Sequence, residues 1–405
     1  MSRADIAIGG GRSAPYTGGM RILAVDIGTG TQDILLLDPS GPVENSPKLV
    51  MPSPTVVAAQ RIRAATASGT AVVLTGTVAG GGPCAWALGD HLRAGLRAFA
   101  TPEAALTLDD DVRRVEADGV KLVSKDEARR IDGAHVTLRD LDLDAIRTAL
   151  TAFGVDPDFD GIAVGVFDHG AAPPEVSDRV FRFQHIARVL SADPDVRAFA
   201  ALPESLPAHL TRARAVLDSV DAGVPVVFMD NGPAAALGAL HDPAVARRQR
   251  RAILNVGNMH TLCFVLDGTR VEAVFEHHTG EVSPEQLAGM VRNLLAHRLT
   301  NEAVYSSMGH GALYADEVDQ GRAGNPAPFE VSVVAVTGPQ RERMLPALAE
   351  AGLPPAHSAA PHGDMMISGC FGLLDGFAYR VPAARKAVAA LHPHATSYAS
   401  TTGNS

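Results

Sequence analysis

The stretch Arg21-Ile-Leu-Ala-Val-Asp26-Ile-Gly28-Thr29-Gly30-Thr-Gln-Asp-Ile-Leu-Leu-Leu-Asp38 decides how the fold can be built. A short apolar run ends at the acid Asp26, a turn with two glycines follows, and a second apolar run ends at Asp38. Two apolar runs on either side of a glycine turn are typical of a β-hairpin. The hairpin therefore presents an acid and a glycine turn at one end.

A second hairpin of the same kind is predicted over residues 252–275. Ala252-Ile-Leu-Asn255 runs into Val-Gly257-Asn258-Met-His-Thr261, and two further apolar runs follow with an Asp-Gly turn between them. Strands and helices alternate in both halves of the chain, which favours α/β layers. The sequence therefore predicts an internal duplication of an α/β domain.

Composition excludes several classes of protein. The 405 residues are 46% hydrophobic and 20% charged, which indicates a globular chain. The net charge of −10 is unfavourable for binding nucleic acid, because attraction to phosphate needs clustered Lys and Arg. No apolar run reaches the roughly 18 residues of a membrane helix, so no membrane partner is expected.

The three cysteines, Cys84, Cys263 and Cys370, lie far apart in the sequence. Their spacing excludes a zinc finger, a cysteine-ligated iron–sulfur cluster and a disulfide scaffold. Free cysteines fit a reducing compartment, so we expect a cytoplasmic protein.

The two predicted turns have the chemistry of phosphate binding. Glycines let backbone N–H groups approach a polyanion without interference from a β carbon. The hydroxyls of Thr29, Thr31 and Thr261 can add donors, and Asp26 at a strand end suits Mg²⁺. Two such turns that face each other would hold a phosphate chain from both sides.

Five elements then follow one another along the chain. They are Asp26-Ile-Gly-Thr-Gly30, Asp230-Asn-Gly-Pro-Ala-Ala-Ala-Leu-Gly238, Asn255-Val-Gly-Asn-Met-His-Thr261, Val336-Thr-Gly-Pro339 and Gly363-Asp-Met-Met-Ile-Ser-Gly-Cys-Phe-Gly372. In this order they resemble the phosphate 1, connect 1, phosphate 2, adenosine and connect 2 elements of the actin, sugar-kinase and heat-shock-chaperone ATPase superfamily. The resemblance spans about residues 21–380. It implies two duplicated actin-like (ribonuclease H-like) α/β domains with a cleft between them.

The same resemblance implies ATP and Mg²⁺ as cofactors and assigns residues to them. The first phosphate loop would be Asp26, Gly28, Thr29 and Gly30, with Asp26 near Mg²⁺; the second would be Asn255, Gly257, Asn258 and Thr261; Gly338 would lie under the adenosine. The small-residue helices 234–240 and 367–374 would cross between the domains and allow hinge closure. Two positions depart from the superfamily: Asn255 stands where Asp is usual, and Thr-Gly-Pro at 337–339 stands where Gly-Gly is common.

A narrower resemblance rests on Asp26–Asp33, Gly80-Gly-Gly-Pro83, Phe275-Glu-His-His-Thr-Gly280 and His362-Gly-Asp364. These segments are similar to an uncharacterised bacterial and archaeal family often labelled "putative pyruvate formate-lyase activating enzyme". A radical-SAM activase needs CxxxCxxC for its cluster, and this sequence contains no such pattern. Radical-SAM chemistry is therefore not expected.

Other polar groups are candidates for chemistry. Asp168 and His169 follow a buried strand, a position where α/β proteins place ligand groups, so either is a candidate base beside an acceptor near Gly80–Gly82. His277 and His278 follow the second hairpin and are candidate ligands for a transition metal.

Three functions remain open at this stage. The first is an ATP- and Mg²⁺-dependent phosphotransferase or ATPase that acts on a small substrate. The second is a nucleotide-dependent switch that activates a partner protein. The third is a metal-dependent enzyme on the same fold that uses histidines 169, 260, 277, 278 and 362.

The predicted organisation has five parts. They are a disordered lead-in at 1–19, a first actin-like domain at 20–245, a second at 246–361, a closing helix at 362–385 that returns to the first domain, and a flexible tail at 386–405.

Overall fold

The computed structural model describes residues 19–220, 223–315 and 327–392. Its strands are β1 (Ile22–Ile27), β2 (Thr31–Leu37), β3 (Lys48–Pro52), β4 (Val72–Gly76), β5 (Ala98–Ala100), β6 (Val120–Leu122), β7 (Ala134–Leu138), β8 (Gly161–Val166), β9 (Ala200–Ala201), β10 (Val226–Asp230), β11 (Arg250–Val256), β12 (His260–Asp267), β13 (Arg270–His278), β14 (Gly311–Tyr314), β15 (Val334–Thr337) and β16 (Ala356–Ser358). The predicted lead-in falls, apart from Gly19, outside the described residues.

The α-helices connect and cover these strands. They span Pro54–Ala67, Pro83–Arg93, Pro102–Ala105, Val112–Ala117, Lys125–Ala128, Leu143–Ala152, Asp178–Ala192, Thr211–Asp218, Asn231–Ala239, Pro243–Ala246, Pro284–Leu295, Asn301–Ser306, Arg341–Glu350, Ser368–Arg380 and Arg385–Ala389. None of the described helices is long and apolar enough to cross a membrane.

Two six-stranded sheets are built in the same way. The first has the order β3-β2-β1-β8-β10-β9 and the second the order β14-β13-β12-β11-β15-β16. In each, three consecutive strands pair antiparallel, and two later strands then add in parallel beside the first of the three. β11 therefore corresponds to β1, and the predicted duplication is confirmed. The fold is α/β with two actin-like halves.

A third sheet, with the order β6-β5-β4-β7, lies between β3 and β8 in sequence. All its pairings are parallel. This separate sheet was not predicted from the sequence. Its short strands carry too few residues to show a period in the sequence.

The helices Asn231–Ala239 and Ser368–Arg380 cross at glycines. A β carbon on Gly238 would lie 1.7 Å from the Ser368 carbonyl oxygen, and one on Gly372 would lie 1.8 Å from that of Ala234. Both helices are buried almost throughout, and the second packs on β1, β8 and β10. The small residues of both helices predict this close approach.

The segment after residue 385 departs from the predicted flexible tail. A short helix, Arg385–Ala389, forms there, and Val388 and Leu391 are buried in the main core. The physical reason is apolar spacing, which lets one face of the segment pack. Residues 393–405 lie outside the described residues, and the other proposed domain boundaries stay predictions.

Candidate functional site

The two predicted turns have the same geometry. The Gly28 N–H donates to the Thr31 carbonyl oxygen at 2.9 Å, and the Gly257 N–H donates to the His260 carbonyl oxygen at 3.0 Å. In both hairpins the acceptor is the first residue of the second strand. The turns are thus equivalent elements of the two halves, and His260 occupies the position of Thr31.

The turns face each other across one cleft. Its walls include the predicted residues Asp26, Gly28, Thr29, Gly30, Asn255, Gly257, Asn258 and Gly338, together with Asp33, Phe167, Asn231 and His260. A β carbon on Gly30 would lie only 2.4 Å from the Asn258 amide nitrogen, so the two turns meet. The cavity volume is about 110 Å³, below the roughly 300–1,000 Å³ of ligand pockets. The cleft is therefore narrower than a typical ligand pocket.

An acidic pair forms the floor of the cleft. Asp26 and Asp33 lie directly opposite each other on β1 and β2. Within the described chain, one oxygen of each carboxyl group is buried and has no hydrogen-bond partner. Burial and the neighbouring Asp33 and Asp230 charges raise the pKa of Asp26, and burial chiefly raises the pKa of Asp33 to about 7. Such a pair suits a hard cation, which would replace the missing partners.

Sequence reasoning overlooked Asp33 as a site residue. The alternation of side chains along β2 could have revealed it, because Thr31, Asp33 and Leu35 share one face of that strand. A residue opposite Asp26 in the hairpin must lie beside it.

The Asn255 position connects the second turn to the predicted adenosine loop. Asn255 lies opposite Thr337 in the parallel pair β11–β15. Gly338 has a φ of +94°, and a β carbon there would approach the Asn255 side-chain oxygen to 2.7 Å. Only glycine fits at this position, so the loop passes close over the second turn.

Thr261 does not lie in the cleft, and its predicted role in the second phosphate loop is not supported. Its hydroxyl is buried and lies 2.8 Å from the Thr279 hydroxyl. Successive side chains on a strand point to opposite faces, so the face that exposes His260 to the cleft turns Thr261 away.

A buried arginine connects the two sheets behind the cleft. Arg182, which is 1% exposed, donates to Asp230 at the end of β10 and to Glu276 on β13, the latter at 3.2 Å. It also donates to the Asp168 carbonyl oxygen at 3.2 Å. Burial raises the pKa of Glu276 to about 7 although Arg182 opposes the shift. No sequence signal marked Arg182, since it sits within an ordinary amphipathic helix.

Aromatic rings extend this network to the cleft wall. The Arg182 guanidinium lies 4.5 Å from the centre of the Phe167 ring, which stacks on His260 with 3.9 Å between ring centres. Burial lowers the pKa of His260 well below its ordinary value. His260 is therefore a neutral imidazole at neutral pH.

Three histidines meet beside this stack, and only His278 of the predicted pair is among them. His260, His278 and His310 each offer a ring nitrogen, and these atoms lie within 4.8 Å of one another. His277 points to the other face of β13, where its ring nitrogens lie 3.0 Å from the His278 carbonyl oxygen and 3.2 Å from the Ser307 hydroxyl. Strand alternation separates these two neighbours.

Asp168 and His169 do not line the cleft. The two Asp168 oxygens accept hydrogen bonds from the Gly170 and Ala213 N–H groups at 2.8 and 2.9 Å, so the side chain ties its own loop to the first turn of the helix Thr211–Asp218. His169 is about half exposed and borders a separate cavity of about 530 Å³ beside Asp110. The oxygens of Asp168 are therefore already occupied by backbone donors, and its catalytic role stays a prediction.

The glycine loop 80–82 lies close to the first turn. A β carbon on Gly82 would lie 3.6 Å from the Thr29 methyl carbon. Asp140 accepts from the Gly80 N–H at 3.0 Å and holds Arg212 through both oxygens, at 2.8 and 3.0 Å. Arg212 in turn donates to the Phe167 carbonyl oxygen at 2.7 Å. This loop is therefore anchored against the cleft.

The sheet order and the paired turns have the arrangement that the resemblance to the actin, sugar-kinase and heat-shock-chaperone ATPase superfamily implies. Residues 79–343, about two thirds of the chain, match the family described as "Putative pyruvate format-lyase activating enzyme (DUF1786)". The chain belongs to this family. No curated protein matches the sequence.

Solved structures show distant similarity. A ROK family glucokinase from Streptomyces griseus in complex with glucose and AMPPNP is 14% identical, with 88% of this chain and 98% of that chain covered and a TM-score of 0.36. The activator of the 2-hydroxyisocaproyl-CoA dehydratase from Clostridium difficile with bound ADPNP is 8% identical, with coverage of 89% and 97% and a TM-score of 0.29. Similarity at this level carries no information on substrate or activity.

The family description does not define the chemistry of this chain. Cys84, Cys263 and Cys370 are all buried and free. Burial raises the pKa of the Cys84 thiol to about 12, and it raises the pKa of the other two thiols as well. Buried, protonated and separate thiols do not form the three-cysteine set that a radical-SAM cluster requires.

Proposed function

We propose that this protein binds a magnesium–nucleotide complex in the cleft between the two turns and is an ATP-dependent phosphotransferase or ATPase. One observation carries the proposal: Asp26 and Asp33 line the space that two equivalent glycine turns enclose, and each has a buried carboxylate oxygen without a hydrogen-bond partner among the described residues. Carboxylates attract the metal ion, and glycine turns leave backbone donors open to phosphate. The cleft therefore offers groups that suit the metal ion and groups that suit the phosphates.

The residues divide this work between them. Asp26 and Asp33 would hold Mg²⁺, which would neutralise phosphate charge when bound. The N–H groups of Thr29, Gly30, Asn258 and Met259 donate to no other group within the described chain, so they are free to donate to phosphate oxygens. Gly338 would let the nucleoside lie against the backbone. The acidic net charge does not oppose this, since the backbone and Mg²⁺ supply the positive potential.

Entry of a nucleotide requires the cleft to open. A cavity of about 110 Å³ holds only a few water-sized groups, and the Asn258 side chain lies against Gly30 across it. The two turns belong to different sheets, so a small rotation of one half against the other would separate them. Closure after binding would then exclude water from the phosphates.

The acceptor of the phosphoryl group would lie in the first half, on the side of the third sheet, β6-β5-β4-β7. The cavity of about 530 Å³ beside His169 and Asp110 is large enough for a small molecule. Its walls carry both acids and arginines, because Asp111 pairs with Arg113 and Asp109 with Arg114, so the lining favours a polar, hydroxyl-bearing substrate.

A nucleotide and metal thermal-shift panel tests the proposal. Mg²⁺ with ATP, or with a non-hydrolysable analogue, should raise the melting temperature of the wild type, and the shift should vanish in EDTA. Asp26→Asn should lose the shift, and the exposed Asp158→Asn should keep it as the matched control. No shift with any nucleotide, together with a fall in melting temperature in EDTA alone, would overturn the proposal and favour a metal-dependent enzyme.

A further inference from the structure

Three neighbouring strands each bring one histidine to the same point. His260 opens β12, His278 closes β13 directly opposite it, and His310 immediately precedes β14. The His310 N–H donates to the Glu276 carbonyl oxygen at 2.9 Å, which fixes this residue against β13. Backbone hydrogen bonds between neighbouring strands therefore fix where the three histidines lie, as a rigid ligand site requires.

The ring of His278 is held in the orientation of a metal ligand. Its Nδ1 lies 2.8 Å from the Met308 carbonyl oxygen, which can only accept, so Nδ1 carries the proton. Nε2 then keeps a free lone pair. Metal-bound histidines commonly donate their second ring N–H to a carbonyl in this way.

An orphaned carboxylate oxygen is a second, independent sign of a ligand. Glu276 is fully buried, and one of its oxygens is engaged by Arg182. The other has no hydrogen-bond partner among the described residues and lies 3.8 Å from Nε2 of His310. A buried carboxylate oxygen without a partner is costly unless a proton or a cation reaches it.

We propose that His260, His278 and His310 form a binding site for a divalent transition metal such as Zn²⁺, with the Glu276 carboxylate, 3.8 Å from the His310 ring, as its anionic neighbour. Imidazole and carboxylate groups are the ligands that Zn²⁺ shares with related first-row ions. The three nitrogens lie within 4.8 Å of one another, and two nitrogens on one tetrahedral zinc are about 3.3 Å apart. Small rotations of the half-buried His260 and His278 rings close that gap.

This site would be distinct from the magnesium site at Asp26. His260 lines the cleft, so an ion on its ring would face the same space from the side of the second turn. Three histidines leave a coordination position open, which a water or a substrate oxygen could take. The site does not depend on nucleotide binding and can be tested without it.

The chain supplies a matched control in a second histidine–carboxylate group. His241, Asp375 and His392 also lie close together, but Asp375 uses one oxygen for each histidine, at 2.9 Å in both cases. Both Asp375 oxygens are thereby occupied, so His392→Ala should leave metal binding unchanged.

Titration of EDTA-treated full-length protein with Co²⁺ and Zn²⁺ tests the site. We expect one equivalent of Co²⁺ with visible bands of tetrahedral or five-coordinate geometry, which Zn²⁺ displaces. His278→Ala and His310→Ala should abolish the bands, Glu276→Gln should weaken binding about tenfold or more, and His392→Ala should have no effect.

Two results would overturn the proposal: no stoichiometric Co²⁺ or Zn²⁺ binding by the wild type, or binding that survives His278→Ala and is lost in His392→Ala. If the variants fail to fold, chemical modification of wild-type histidines decides the question. Zn²⁺ should protect the half-buried His278 from the reagent and leave His392 equally reactive, and unchanged reactivity of His278 would contradict the site.

Discussion

Asp26 and Asp33 are register partners across the β1–β2 hairpin, and each leaves one buried carboxylate oxygen without a hydrogen-bond partner in the described chain. Two neighbouring carboxylates cannot both ionise in a buried site without a large cost. The pair therefore needs a proton or a cation. This need connects the fold to the proposed magnesium–nucleotide complex, since the pair lies below both glycine turns.

Asp33→Asn should stabilise the protein when no divalent cation is present. The amide removes a buried charge and its repulsion with Asp26, so we expect a gain of about 1–3 kcal/mol at pH 8. The same change should abolish the thermal shift caused by Mg²⁺ and ATP. Urea unfolding in EDTA measures the first effect, and Asp158→Asn serves as the control. Unchanged or reduced stability of Asp33→Asn would contradict the unpaired state of this carboxylate.

The free energy of unfolding should depend on pH in part through the titration of Asp33. Its folded pKa of about 7 lies above the ordinary 3.8, so the folded state holds the proton more tightly. The resulting stabilisation is complete below the unfolded pKa and is lost as the pH rises through the folded pKa. In EDTA, the free energy of unfolding should therefore fall between pH 5 and pH 8 by more in the wild type than in Asp33→Asn. Parallel pH profiles of the two proteins would rule this out.

Arg182→Leu should destabilise the protein by about 3–5 kcal/mol, because it leaves Asp230 and Glu276 buried without their cation. A second change, Glu276→Gln, should recover part of the loss. Arg188→Leu, an exposed position on the same helix, is the matched control. Urea unfolding of the four proteins gives the comparison; a loss equal to that of Arg188→Leu would show that the buried network contributes little.

Gly372→Ala should destabilise the helix crossing. Its β carbon would lie 1.8 Å from the Ala234 carbonyl oxygen, so the two helices must move apart. Overpacking of this kind costs about 1–3 kcal/mol or more. Gly41→Ala meets nothing within 4 Å and should be nearly neutral in the same denaturation experiment. Equal stabilities would mean that the crossing tolerates a wider separation than the structure has.

Asp168→Ala should show whether the Asp168 side chain has a structural or a catalytic role. It removes two hydrogen bonds to backbone N–H groups, so a loss of about 1–3 kcal/mol is expected. Affinity for Mg²⁺ with a nucleotide should stay within about twofold, since the side chain does not line the cleft. Normal stability together with a large fall in turnover would support the catalytic role that the sequence suggested.

Local patterns were sufficient to predict the hairpins and their turns. Gly28 and Gly257 determine the turns through residues only three positions apart, and the repeated arrangement of strands predicted the duplication. The residues brought together from distant strands were harder to predict. Arg182, Glu276 and His310 come from separate segments, and only the strand register shows that they meet.

Strand alternation explains the errors at individual positions. His277 and His278 are adjacent in sequence but point to opposite faces, and so do His260 and Thr261. The hairpins were predictable from the sequence, but the face that each residue takes depends on where the strand begins. The place of Asp33 could have been predicted, because its position opposite Asp26 follows from the length of the hairpin turn.

Calorimetric titration with a non-hydrolysable ATP analogue tests the central claim most directly. With Mg²⁺, the wild type should bind one equivalent per chain, and Asp26→Asn should bind at least about tenfold more weakly, a change of 1.4 kcal/mol or more. Asp158→Asn should match the wild type. Binding by the wild type that neither EDTA nor Asp26→Asn weakens, or no binding at all, would contradict a magnesium–nucleotide site at these turns.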